Sequence, residues 1–311
     1  LTFFEYTTLA AFHIFSAVKL DAWVIEVGLG GRLDATNILD ADCAVIASIG
    51  IDHTEFLGPT RELIAVEKAG ILRKSRPAII AEPDPPQTLI DATAERGADA
   101  RYIGRDFGWQ KVPETPSQWS FWMRDGDQVT RRHGLPIPAL RGNYQLGNAA
   151  AALAALQAMS DKLPVSQGAV KQGLIEVEWP GRFQVLPGRP VTVLDVAHNT
   201  HAAVALERAL ADMAYFPETH AVFAMFRDKD IAGVVAAVKG RIDQWHIAPL
   251  PGPRGADAEA LAAALIAARV KDRAIHRHAS VAEAYAAARK LAAEADRIVV
   301  FGSFLTVAQA A

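Results

Sequence analysis

A carboxylate at the end of an apolar run, followed at once by glycines, is an arrangement suited to ligand binding rather than to packing. Residues 26–37 read Glu-Val-Gly-Leu-Gly-Gly-Arg-Leu-Asp-Ala-Thr-Asn and follow the apolar run Ala22–Ile25. A buried strand is therefore expected to deliver Glu26 into a glycine-rich turn. In open parallel sheets ligands bind beyond the carboxyl ends of the strands, and glycines there let backbone N–H groups approach an anion. A second run, Cys43–Ile51, ends the same way in Asp52-His53-Thr54. Two neighbouring strand ends then carry acid–base or metal-binding side chains, with Glu26 and His53 as the candidates. Gly28-Leu29-Gly30 begins like a dinucleotide fingerprint, but that pattern fails at Leu33. A carboxylate ahead of the first glycine also repels a pyrophosphate unless a cation lies between them.

The elements that must position these groups alternate along the chain. The first part reads as helix Tyr6–Ala17, strands Ala22–Val27 and Ala44–Ile49, helix Arg61–Ile71, strand Ala78–Ala81, helix Pro86–Arg96 and strand Arg101–Ile103. That order implies an α/β domain with a mostly parallel sheet. Asp125-Gly126 between Trp119–Met123 and Gln128–Arg132 marks an antiparallel hairpin. Helices are expected at Tyr144–Met159 and Val165–Glu176. Prolines and glycines at 180–190 mark a boundary, beyond which five strand-like runs between Val191 and Phe301 alternate with helices as a second parallel α/β domain.

With 311 residues, 51% hydrophobic and 22% charged, the chain has the composition of two globular domains. A net charge of −3 gives no reason to invoke nucleic acid or an anionic membrane. The single cysteine, Cys43, falls in a strand pattern and reads as a small buried residue. No apolar stretch is long enough to span a bilayer, and no signal peptide is seen; a cytoplasmic location is expected. Leu1 runs directly into a helix-like segment and no G-x-x-x-x-G-K-[ST] loop occurs, so the sequence is expected to be part of something longer.

Several segments together carry a resemblance to a known family. They are Leu1-Thr2-Phe3-Phe4-Glu5-Tyr6, Glu26–Asn37, Asp52-His53-Thr54, Glu67-Lys68-Ala69-Gly70, Leu140-Arg141-Gly142-Asn143, Asn148-Ala149-Ala150, Pro180-Gly181-Arg182-Phe183, Asp195-Val196-Ala197-His198-Asn199, Asp228-Lys229-Asp230, Pro253-Arg254-Gly255 and Gly302-Ser303-Phe304. Over essentially its whole length the chain resembles the folylpolyglutamate synthases, in particular the bacterial bifunctional dihydrofolate/folylpolyglutamate synthases, which are Mur-type amino-acid ligases. The resemblance implies two α/β domains: a Mur-ligase-type central domain over residues 1–183, incomplete at its amino end, and a Rossmann-like glutamate-ligase domain over residues 184–311. It implies ATP and two Mg2+ ions, with dihydropteroate, reduced folates and L-glutamate as substrates, in a monomer. ATP would phosphorylate a carboxylate and the amine of glutamate would attack the acyl phosphate, in a site between the domains. Because the family's P-loop is missing from these residues, this chain alone is expected to be inactive.

The resemblance also assigns roles. Glu26 and His53 would ligate magnesium. On chemistry alone Glu26 could instead cap a helix, and His53 could bind manganese or merely hydrogen-bond. Lys68 would be carbamylated, which turns a cation beside the metals into an anion; read blandly, it is a solvated lysine paired with Glu67 or Glu62. Asn148, Arg182 and Asp195 would contact ATP, the alternatives being an Arg182–Asp195 salt bridge and a helix cap at Asn148. His198 and Asn199 would shape the acyl-phosphate or glutamate pocket, a capping role for Asn199 being open too. Lys68, Arg182 and His198 are the residues expected to be catalytic. Thr2, Phe3, Phe4 and Glu5, with Leu33, Asp34 and Ala35, would bind dihydropteroate, the aromatic pair stacking on the pterin and Asp34 accepting from its ring. One of the two phenylalanines is expected in the core. The competing readings are another Mur-type ligase and a non-catalytic folate-binding remnant.

Overall fold

The computed structural model describes residues 1–310. It divides into two compact units, one formed by residues 1–138 and 146–176, the other by residues 139–145 and 177–311.

In the first unit, α1 (Phe3–Ala17) is followed by a 3-10 turn at Ala35–Ile38. Next come β1 (Ala44–Ile46), α2 (Thr54–Leu57), α3 (Arg61–Ala69), β2 (Pro77–Ile80), α4 (Gln87–Glu95) and β3 (Asp99–Tyr102). The strands form a parallel sheet in the order β1-β2-β3. Helix α3 starts where Thr60 accepts the Leu63 N–H, and it buries Ile64, Ala65 and Ala69 against Ile46, Ile80 and Leu89. The expected strand at Ala22–Val27 is not formed. Its residues join no ladder, because no strand among the described residues lies alongside to complete one. Val24 is accordingly 97% exposed. Cys43 likewise falls just ahead of β1 rather than within it, half-buried, its thiol pushed up to about 11 by burial.

The expected hairpin is part of a larger antiparallel sheet, β4 (Phe107–Lys111), β5 (Gln118–Asp125) and β6 (Gln128–Pro136). Phe107, Trp119, Phe121 and Leu135 bury one face of it against the alanine-rich helix α5 (Tyr144–Ala158) and α6 (Gln167–Glu176). Ala150 and Ala154 are fully buried there, since small side chains let a helix approach aromatic rings closely.

In the second unit, β7 (Gln184–Leu186) and β8 (Val191–Asp195) are followed by α7 (Thr200–Ala211), β9 (Thr219–Phe223) and α8 (Ile231–Val238). Then come β10 (Gln244–Ile247), α9 (Ala258–Ala267), β11 (Ile275–Arg277), α10 (Val281–Leu291), β12 (Arg297–Phe301) and α11 (Phe304–Ala310). The sheet runs β11-β10-β9-β12-β8-β7, parallel throughout except for the edge strand β7. Strands β9 and β12 are buried at every position, as central strands covered on both faces must be. The division between units, at 176/177, lies ahead of the 183/184 boundary that the resemblance implies. Gly181 accepts the Val196 N–H and Phe183 donates to Asp195, so the turn before β7 is built into the second unit.

Candidate active site

The glycine-rich segment of the first unit is folded around Asp34. Its carboxylate accepts the Leu29 N–H at 2.9 Å, the Thr36 N–H at 2.9 Å and the Thr36 hydroxyl at 2.6 Å, which caps the 3-10 turn containing Ala35. Three of roughly four acceptor positions are thereby used within the loop. Gly28 lies against the Phe4 ring: a Cβ there would be 2.5 Å from Phe4 Cζ and 3.2 Å from Asp34 Oδ2. The structure thus brings Phe4, Gly28 and Asp34 to one spot.

At the start of α1, Thr2 accepts the Glu5 N–H at 3.2 Å, and Glu5 accepts the Thr2 N–H at 2.7 Å. This reciprocal cap occupies both side chains and holds the Glu5 carboxyl below the usual range. Neither phenylalanine is in the core: Phe3 is 85% exposed and Phe4 44%, which corrects the expectation that one would be buried. Leu33 is exposed as well.

Glu26 is exposed on the unpaired Ala22–Val27 stretch. His53 sits ahead of α2 in the left-handed conformation, φ 50°, where a non-glycine residue stores strain. Its loop is held by an ion pair whose acidic end, Glu82, is buried. Glu82, just past β2, accepts the Ile49 N–H at 2.7 Å and the Asp84 N–H at 3.1 Å, while Arg61 binds Glu82 at 3.2 Å and donates to the Ile49 carbonyl at 3.1 Å. Sequence reasoning missed this clamp, although Glu82 ends an apolar run just as Glu26 does.

Lys68 is half-buried, and burial alone lowers its pKa. Glu67 is not its partner: it pairs with Arg32 at 2.9 Å, whose N–H also binds the Glu67 carbonyl. The loop lies so close to α3 that a Cβ on Gly70 would meet the Arg32 backbone. Asn148 is exposed in α5, which begins at Tyr144, so it is not a helix cap.

In the second unit, Arg182, Asp195 and His198 come together. Asp195 ends β8 and its buried carboxylate accepts the Phe183 N–H at 2.9 Å and the Ala197 N–H at 2.8 Å. Burial raises its pKa to about 6 against the lowering effect of those bonds and of Arg182 and His198. Tyr144 is pushed up to about 12 by burial and by the Asp195 charge. The Val196 carbonyl lies 2.8 Å from His198 Nδ1, which fixes a proton on that nitrogen. Phe304 joins the group: the Arg182 guanidinium lies 5.5 Å from its ring centroid and the His198 ring 6.5 Å. Asn199 caps α7 by accepting the Ala202 N–H, and Thr200 donates to Asp230, the cap of α8.

No group of three or more His, Cys, Asp or Glu side chains among the described residues is placed to cage a metal. A single carboxylate such as Glu26 is the kind of ligand magnesium takes, because that ion keeps several waters and takes oxygens from substrate phosphates.

Residues 2–156 match the Mur ligase middle domain, and residues 181–304 match the Mur ligase glutamate ligase domain. The dihydrofolate synthase/folylpolyglutamate synthase of Escherichia coli strain K12 is 44% identical over 308 residues, covering 99% of this chain and 68% of that protein. The chain belongs to the dihydrofolate/folylpolyglutamate synthase family of Mur ligases. A second member of this ligase family, from Haemophilus influenzae, is 40% identical over 99% of this chain and 72% of its own length. Among solved structures, the E. coli enzyme in complex with DHPP and ADP superposes with a TM-score of 0.89, covering 99% of this chain and 70% of that one. A bifunctional folylpolyglutamate synthase/dihydrofolate synthase with Mn, AMPPNP and L-glutamate bound has a TM-score of 0.87, 42% identity and the same coverages. Both structures thus hold a nucleotide, and the second holds a divalent metal as well. No helix among the described residues is long and apolar enough to cross a membrane.

Proposed function

We propose that the protein uses ATP to join L-glutamate to dihydropteroate, and to the terminal glutamyl carboxylate of reduced folates, through an acyl phosphate. The observation that carries this reading is a likeness at 44% identity extending over 99% of the chain. A carboxylate oxygen of the acceptor attacks the γ-phosphorus of ATP and ADP leaves. The glutamate amine then attacks the acyl carbon, loses a proton, and phosphate leaves. Transfer between anions is mostly a matter of positioning and charge neutralisation. Arg182 would neutralise the phosphoryl oxygens. His198, with Nδ1 held by the Val196 carbonyl, would shape the acyl-phosphate or glutamate pocket. Asn148 and Asp195 would contact ATP. Glu26 and His53 would hold two Mg2+ ions, which supply charge neutralisation when bound. A lysine whose pKa burial has lowered is more readily neutral, and only a neutral amine adds CO2 to give a carbamate and a proton; Lys68 has that property. Phe3, Phe4, Leu33, Asp34 and Ala35 would receive the pteroate, while Thr2 and Glu5 fix the aromatic pair at the start of α1.

The test is phosphate release by the protein as the cell makes it, with each substrate omitted in turn. Release that requires both dihydropteroate and L-glutamate is expected, and dependence on a different amino acid or a peptidoglycan precursor would overturn the reading. These 311 residues contain no phosphate-cradling G-x-x-x-x-G-K-[ST] loop, so by themselves they are expected to show no measurable turnover.

A further inference from the structure

Three histidines of the second unit form a hydrogen-bonded row that plays no part in the site above. Parallel pairing sets His220 opposite Gln244, and His246 opposite both Val222 and His276. His220, His246 and His276 thus share one face, the face that buries Val222 against Val281, Ala284 and Ala288 of α10. His246 stacks between its neighbours, with centroids 5.7 Å from His220, 4.8 Å from His276 and 5.4 Å from His278. Nδ1 of His220 lies 3.4 Å from Nε2 of His246, and Nδ1 of His246 lies 3.2 Å from Nε2 of His278. His276 bonds outside the row, to Gln244 at 3.1 Å. His220 and His246 are each 1% exposed.

Proton counting gives the row a direction. Each N···N contact holds one proton, and a neutral imidazole carries one. Nε2 of His220 has no hydrogen-bond partner among the described residues and lies 3.7 Å from Oε2 of Glu218 and from Oδ2 of Asp296. A lone pair there would face two carboxylates, so the proton sits on Nε2. His220 then accepts at Nδ1, His246 donates from Nε2 and accepts at Nδ1, and His278 donates from Nε2. A second proton on His246 would drive its Nδ1–H into the Nε2–H of His278. At the ends of the row burial also lowers the pKa, opposed at His220 by Asp296, Glu218 and Asp243 and at His278 by Glu283 of α10. The centre sees burial and three other imidazoles, including His276.

We propose that the His220–His246–His278 row is an acid-sensitive latch, which clamps the β9–β10–β11 edge while neutral and releases it when protons compete for His246. The test uses the full chain, with nitrogen-15 NMR of the histidine tautomers and hydrogen exchange of β10 and β11 corrected for intrinsic rates. His246 is expected to be neutral and Nε2-protonated. With its pKa at about 3 in the closed edge and 6.5 in the open one, the opening equilibrium rises about 30-fold from pH 7.5 to pH 5. His246→Gln keeps one donor and one acceptor but cannot titrate, and should remove most of that rise; an undiminished rise in this variant would overturn the proposal. If the variant does not fold, the unaltered protein still decides. An Nδ1-protonated or charged His246 in the closed edge, or opening that does not grow in acid, would defeat the latch.

Discussion

Asp195→Asn should stabilise the second unit near neutral pH relative to acid pH, because the carboxylate it replaces is one the fold holds against its preference. The acid form of Asp195 persists to about pH 6 in the folded protein, against 3.8 for an aspartate side chain free in water. Between those values unfolding releases a proton, so stability falls as pH rises through the window. At 1.36 kcal/mol per pKa unit the full cost is about 3 kcal/mol, of which about 2.5 kcal/mol accrues from pH 4 to pH 7.5. Asparagine keeps one oxygen for either the Phe183 or the Ala197 N–H and turns an NH2 on the other. That loss of about 1–3 kcal/mol is the same at every pH, so it cancels from the swing. The histidine row titrates identically in both proteins and cancels too. Urea titrations at pH 4 to 7.5, read by hydrogen exchange of β8 and β12 peptides, measure the difference in the second unit alone, which a whole-chain signal does not do for a two-unit protein. A swing in the variant's favour smaller than about 0.5 kcal/mol would show that the carboxyl ionises in the fold as readily as in water, and the burial argument would fail.

Arg61→Ala leaves Glu82, whose side chain is 7% exposed, without its cation. A loss of about 2–3 kcal/mol is expected, below the usual cost of breaking a buried pair because Arg61 is itself one-third exposed, with faster hydrogen exchange at residues 49–53; unchanged exchange there would remove the clamp on the His53 loop. Gly70→Ala should destabilise by about 1–3 kcal/mol in urea, although φ −56° suits alanine and helix propensity favours it, since the new Cβ meets Arg32; a stabilised variant would contradict the close approach. Carbon-13 bicarbonate should give a carbamate resonance that is lost in Lys68→Arg, and no such signal in the unaltered protein at pH 8.5 would remove the carbamate.

Periodicity made the second unit readable almost element by element: Ile231–Val238, Gln244–Ile247 and Arg297–Phe301 begin and end where the patterns change. Those strands are buried on both faces, so their composition alone marks them. The first unit was harder. Ala22–Val27 has strand composition, but a strand is defined by partners, and none of the described residues supplies one. Strand β4 escaped notice because Gly108 interrupts Phe107–Lys111, where the Trp122 ring lies against the glycine. In the site, Arg182, Asp195 and His198 were legible as types near a strand end. What each is bonded to was not, since Phe183, Ala197 and Val196 act through backbone atoms that residue identity does not reveal. Thr2 and Glu5 looked like ligand contacts because a capping pair and a binding pair use the same side chains.

The strand order of the second unit has a consequence for how it is made. Strand β12 lies between β8 and β9, yet it follows every other strand of that sheet in the sequence. Until it is in place, β8 and β9 have no common neighbour, and their unpaired backbone edges stand open. Helices α7 to α10 can form as they are synthesised, but the centre of the sheet waits for residues more than a hundred positions after β8 begins. Such late, long-range closure slows folding and prolongs the exposure of unpaired strands. The unit is therefore most vulnerable to misassociation on the ribosome in the interval before β12 emerges, and a chaperone that shields the gap between β8 and β9 would act at the step that matters most.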